Sequence, residues 1–200
     1  MASNMDTLSD NTKKLISICK KDGTERIYEA IITSTDEAGG EKAFDSITTQ
    51  GGGRLKNYTP QTDYEVTLEG YAVEVGTLAA GTTGNGFNDL MSDYDGTSQP
   101  VSIINDHTRE EYRLVIMRTS NFTQASASAV TTTLDKAVRW TYENGHFTNV
   151  VASDTDNVVK FTLSFKTPAF NKAGTKNRTV ESTDGTAAAV LPELAAYATA

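Results

Sequence analysis

Residues Thr62 to Val75 read TDYEVTLEGYAVEV. Side chains alternate across an extended chain, so Tyr64, Val66 and Leu68 fall on one side and Asp63, Glu65, Thr67 and Glu69 on the other. One side is built to pack; the other is wet and acidic. The same alternation puts Tyr112, Leu114 and Ile116, then Val138, Trp140 and Tyr142, then Val159, Phe161, Leu163 and Phe165 on buried faces. Four segments thus supply a common core. Thirty threonines among 200 residues, with Val, Ile and Tyr, favour pleated surfaces over helices, and the chain reads as mainly β.

Working outward, further strands are expected over Leu15 to Lys20, Arg26 to Thr33, Phe44 to Thr48, Val101 to Ile104, Glu111 to Thr119, Lys136 to Tyr142, His146 to Val151 and Asn157 to Thr167. Asn144-Gly145 lies between WTYE and HFTNV, the pair expected of a two-residue type I′ hairpin, in which both central residues have φ > 0. One short amphipathic helix is expected, because Phe87, Leu90, Met91 and Tyr94 recur at helical spacing between Asn85-Gly86 and Asp95-Gly96. The expected core is then Tyr64, Val66, Leu68, Phe87, Leu90, Met91, Leu114, Ile116, Trp140, Phe161 and Leu163. Ser34 to Lys42, Gln50 to Asn57 and Ser120 to Thr133 read as mobile connections from their Gly, Ser and Ala content. The stretch after Thr167 has few large apolar residues and reads as an arm.

A 21.5 kDa chain with 38% hydrophobic residues is expected to form one domain rather than two. No apolar run approaches the length that crosses a bilayer, and MASNMDTLSDNTKK lacks the apolar stretch of a signal peptide, so neither a membrane span nor conventional secretion is expected. The single cysteine, Cys19, excludes an internal disulfide and reads as an inert strand residue. A net charge of -8 argues against attraction to nucleic acid or anionic lipid.

Catalytic chemistry needs converging polar groups, and the inventory is thin. His107 and His146 sit in turn-like contexts. The glycines of GTTGNG precede no Lys-Ser or Lys-Thr, so they do not make a phosphate loop. Asp93, Asp95 and Gly96 fail the calcium-loop pattern because Met91 and Ser102 occupy its first and last ligand positions. No enzyme, cofactor or metal site is expected. Charge is unevenly spread: from Asn57 to Thr108 there is no Lys or Arg, while Asp63, Glu65, Glu69, Glu74, Asp89, Asp93, Asp95 and Asp106 all fall there. That pattern fits either a solvated acidic face or a surface kept negative while basic loops meet neighbouring copies.

The strand TDYEVTLEGYAV, the segment GFNDLMSDY, the strands VSII and EYRLVIMRT, and AVRWTYENGHFTNVV follow one another in an order that resembles the tail tube (major tail) proteins of long-tailed bacteriophages, over roughly residues 60 to 166. The resemblance implies a small β-sandwich or barrel with one flanking helix, built as hexameric rings that stack into a virion tail tube. Residues 1–169 would form the β domain with an N-terminal arm, and 170–200 a C-terminal arm. Asp63, Glu65, Thr67 and Glu69 would line the bore. Loops bearing Glu37, Gly39, Gly40 and Lys42, and Gly51, Gly52, Gly53 and Arg54, would join rings. The implied partners are further copies of the chain, tail-end proteins and a tape-measure protein, with DNA passing unbound and no membrane involved. An acidic wall suits that passage, because phosphates meeting Lys or Arg would release counterions and stick. The competing reading is a carbohydrate- or surface-binding β-sandwich adhesin using Tyr28, Tyr58, Trp140 and Tyr142, weakened because alternation sends Trp140 and Tyr142 inward.

Overall fold

The computed structural model describes residues 13–22, 25–27, 30–72, 94–95, 102–103, 111–120, 123–124, 126–130, 136–155, 158–183 and 190–198. These are antiparallel strands and connections, with no helix among the described residues. The strands are β1 (Lys13–Lys20), β2 (Glu25–Ile27), β3 (Ala30–Gly39), β4 (Phe44–Thr48), β5 (Arg54–Tyr58), β6 (Tyr64–Ala72), β7 (Tyr94–Asp95), β8 (Ser102–Ile103), β9 (Tyr112–Thr119), β10 (Ala137–Thr155), β11 (Val158–Thr167) and β12 (Arg178–Thr183). The main sheet runs β2-β1-β9-β10-β11-β6-β3, with β12 also paired to β10.

β10 is the hinge of this arrangement. Its first part, Ala137 to Gly145, pairs with β9 and β12; its second part, His146 to Thr155, pairs with β11. The chain from Ala137 to Thr155 is therefore one strand of 19 residues and not the expected hairpin at Asn144-Gly145. The reason lies in the two residues thought to turn it. Asn144 takes a positive φ of 54°, which asparagine tolerates, but Gly145 does not join it there, and a type I′ turn needs both. The pair instead makes an irregularity that redirects the strand. A β-carbon built on Gly145 would stand 2.1 Å from Phe165 Cζ, so the absent side chain is what lets the Phe165 ring close over the kink.

Side chains from both parts of the sheet meet in one apolar cluster. Ile16, Ile18, Leu114, Ile116 and Tyr142 come from one part; Val66, Leu68, Phe147, Phe161, Leu163 and Phe165 come from the other. Of the core residues expected from alternation, Val66, Leu68, Leu114, Ile116, Phe161 and Leu163 lie inside this cluster, while Tyr64 and Trp140 pack against it half-buried. Phe87, Leu90 and Met91, and the expected helix with them, lie outside the described residues. Tyr94, taken as the last apolar residue of that helix, is instead in β7, paired with Ile103.

A second cluster covers the opposite face of β1, β9 and the first part of β10. Leu15, Val115, Met117 and Ala137 are sealed there by Ala127 and Leu191. The expected mobile stretch Ser120 to Thr133 supplies part of this cover: Gln124, Ser126, Ala127 and Ser128 are buried. Ser126 Oγ lies 3.1 Å from Ser17 Oγ and 3.2 Å from Ser128 Oγ, and the Ala127 N–H donates to Ser17 Oγ at 2.9 Å. Serines suit this place because their hydroxyls pair within an otherwise apolar seam. Residues past 169, expected as an arm, contribute β12 beside β10 and a segment, 190–198, over the same face.

Candidate functional site

Four strands, the second part of β10 with β11, β6 and β3, form a wall whose two faces differ. Register places Ser34, Glu69, Thr162 and Val151 in one row, and Asp36, Thr67, Ser164 and Asn149 in the next. Glu65 and Lys166 continue it. This face is solvated, while Val66, Leu68, Phe161, Leu163 and Phe165 on its reverse are buried. Among the described residues, β3 is the last strand on one side, and the second part of β10 ends the wall on the other.

Asp63, Glu65, Thr67 and Glu69 share this polar face, but they do not have it to themselves. Lys160 Nζ lies 2.9 Å from Glu69 Oε2, and Lys166 Nζ lies 3.9 Å from Asp63 Oδ2. The Lys160 ammonium, hydrogen-bonded to Glu69, holds that carboxyl below the ordinary range, and Ser34 Oγ adds a further hydrogen bond at 3.3 Å. The same pairing raises Lys160. With Asp36, four carboxylates face two lysines, so the wall is negative without being uniformly so. Sequence reasoning missed the lysines because they arrive on β11, far along the chain from the Lys-free stretch.

Beyond the wall, β3 and β6 continue as a two-stranded ribbon. Gly40 N–H donates to Asp63 O at 3.1 Å, Glu41 N–H to Thr62 Oγ1 at 2.9 Å and Thr59 N–H to Ala43 O at 3.1 Å, leading into the β4–β5 pair. Gly39 and Gly40 have φ of 83° and 70°. A β-carbon on Gly39 would stand 1.9 Å from Asp63 O, and one on Gly40 would stand 2.0 Å from the Tyr64 ring. These glycines allow the ribbon to change direction as it leaves the sheet.

All ten residues of β4 and β5 are exposed. Four are large and apolar: Phe44 at 51% exposure, Ile47 at 57%, Leu55 at 61% and Tyr58 at 75%. Phe44 and Tyr58 are cross-strand partners with ring centroids 6.3 Å apart, and Lys56 Nζ lies 4.9 Å from the Phe44 centroid. Gly51, Gly52 and Gly53 form the tip, where Thr49 N–H donates to Gly53 O at 2.8 Å. Arg54 opens β5, and Lys42 lies in the neck. The stretches expected as two loops are therefore largely strand.

Glu37 does not belong to that ribbon. It pairs with Val66 in register, on the core side of β3, where it accepts hydrogen bonds from the Tyr142 hydroxyl and from Arg178 Nη2 at 3.2 Å. Arg178 Nε also donates to Tyr142 Oη at 3.2 Å, and its guanidinium lies 5.3 Å from the Tyr64 centroid. Burial, then the Glu37 hydrogen bond, push the Tyr142 phenol far above its ordinary range. This network ties β3 and β6 to β10 and β12. Among the described residues no group of three or more His, Cys, Asp and Glu is placed to hold a metal ion. His107 is outside them, and His146 stands beside Lys166 in register.

No protein-family model matches the chain, and no curated protein matches its sequence. Similar solved structures include the PVC sheath-tube complex of an extracellular contractile injection system in its extended state, at 10% identity and a TM-score of 0.42 over 84% of this chain and 88% of that one. Another is the anti-feeding prophage baseplate, at 11% identity and 0.46 over 88% and 97%. A third is the tube-terminating cap of the anti-feeding prophage, at 11% and 0.42 over 84% and 88%.

Proposed function

We propose that this chain is a structural subunit of a tail-tube-like conduit. Copies, each a β-sandwich-type subunit, meet edge to edge through β3 and the second part of β10, so that their four-stranded walls close into one barrel. The observation that carries the reading is the wall itself: packed behind, polar in front, and ended among the described residues by edge strands on both sides. Such edges are an aggregation hazard in an isolated sheet and become a ring interface when identical neighbours close them.

Size is consistent with this. Six walls of four strands, at about 4.8 Å per strand, close on a barrel roughly 37 Å across, and strand tilt widens it further. Inward side chains then leave a bore that admits a duplex. The surplus of carboxylates among Asp36, Asp63, Glu65 and Glu69 over Lys160 and Lys166 repels phosphates, so DNA travels without sticking. The ribbon of β4 and β5 carries exposed Phe44, Ile47, Leu55 and Tyr58 out of the subunit, where burial against the adjoining ring supplies the stacking contact.

Sedimentation of the purified full-length chain over a range of concentrations tests the proposal. Rings or longer assemblies are expected. A monomer at every concentration contradicts it.

A further inference from the structure

Residues 190–198 cross the face of β1, β9 and β10 that lies opposite the main cluster. Leu191 enters the second apolar cluster beside Leu15, Val115 and Met117. The remaining attachments are mostly to the segment's backbone. Arg139, fully buried, donates from Nη1 to Pro192 O at 2.8 Å while Nε donates to Glu181 Oε2 at 3.0 Å. Arg113 donates from Nη1 to Ala195 O at 2.9 Å, and its guanidinium lies 5.3 Å from the Tyr197 centroid. Leu194 N–H donates to Ser128 O at 3.2 Å, and Asp22 N–H to Tyr197 O at 2.8 Å.

Tyr197 then reaches the kink in β10. Its hydroxyl accepts the Asn144 N–H at 2.7 Å and donates to Asn144 Oδ1 at 3.2 Å. Asn144 is the residue of positive φ at which β10 changes partners. Its N–H has left the ladder, and a side chain from the far end of the chain satisfies it.

We infer that residues 190–198 are a releasable latch that pins the β10 kink. Closed, the latch fixes the direction in which β10 passes from one part of the sheet to the other. Open, it leaves the Asn144 N–H without the Tyr197 hydroxyl, while the Asn144 side chain stays bound to Asn177 Oδ1, and it uncovers Arg113, Arg139 and Cys19. Two features make opening a local event. The segment has no strand pairing of its own, so it leaves without breaking the sheet. Its release also delivers both guanidinium groups to water, which avoids the penalty of a buried charge left alone. The inference is independent of the tube reading.

Cys19 reports on the latch directly. It is the chain's single cysteine, is buried, and is the register partner of Arg113, whose guanidinium is held by the latch at Ala195 O and the Tyr197 ring. Thiol labelling of the full-length protein by Ellman's reagent, in low urea, measures opening. In Leu191→Ala/Tyr197→Ala the labelling rate is expected to rise at least about tenfold and to stay nearly independent of urea, as local opening requires. Tyr197→Phe keeps the ring and removes the hydroxyl, so labelling should change by less than about threefold while amide exchange at Asn144 accelerates about tenfold or more. Wild-type labelling in the double variant overturns the latch. So does labelling that climbs with urea as steeply as global unfolding. Unchanged exchange at Asn144 in Tyr197→Phe overturns the pinning of the kink.

Discussion

Lys160 reaches across from β11 to Glu69 on β6, placing its ammonium 2.9 Å from the carboxylate on the polar face of the wall. This is the main neutralising contact on a surface otherwise dominated by carboxylates. Its consequence is a measurable titration. The carboxyl of Glu69 is held below its ordinary range by Lys160, so its contribution to stability is complete above the unfolded-state value and is lost as pH falls through the folded-state value. In Lys160→Met, carboxyl-carbon NMR should show the Glu69 midpoint moving upward toward the ordinary range. An unmoved midpoint means that the pair does not form in solution.

The Phe165 ring fills the space that a side chain at Gly145 would need. Because a β-carbon at 145 meets the ring at 2.1 Å, Gly145→Ala should destabilise the fold by about 1 to 3 kcal/mol through overpacking. Phe165→Leu in the same chain should recover part of that loss. Chemical denaturation of the single and double variants decides it, and additive effects would show that the two positions are uncoupled.

The apolar residues of β4 and β5 are exposed, so replacing them should spare the subunit and harm assembly. Phe44→Ser with Leu55→Ser should leave unfolding free energy within about 0.5 kcal/mol of wild type. Stacking of rings, seen by negative-stain microscopy, should be lost. Tubes of normal length from this variant would remove the ribbon from the stacking contact.

Tyr142 supplies a pH test at the opposite extreme. Its folded-state value is raised by burial and by Glu37, so stability is fully present below the unfolded value of about 10 and is lost as pH rises through it. Wild type should therefore lose stability with alkali more steeply than Tyr142→Phe. Parallel pH profiles would mean that the phenol ionises equally well in both states.

What the chain discloses to simple pattern reading follows from where its signals are local. β6 and β11 carry period-two alternation over their own residues, and their positions are readable within a few residues at each end. RLKNY and RTVEST, which become β5 and β12, bury no large apolar side chain on either side. Their pairing is supplied by β4 and β10, so the usual apolar stripe is missing. Asn144-Gly145 misleads because the same dipeptide serves a turn or a kink, and Phe165, twenty residues away, decides between them. The wet side of β6 was legible in TDYEVTLEG; its lysines were not, since register with β11 is a non-local property. Leu191 and Tyr197 follow no strand or helix period, and only the arginines beneath them reveal why they lie where they do.

In the proposed conduit the polar wall of β3, β6, β11 and the second part of β10 faces inward around a closed ring. An electron cryo-microscopy map of assemblies formed by the full-length chain tests it most directly. The expected map shows a ring in which Glu65, Thr67 and Glu69 project into the bore and β3 of one copy lies against β10 of the next. A ring whose outer surface carries those residues, or a bore lined by another part of the chain, would contradict it.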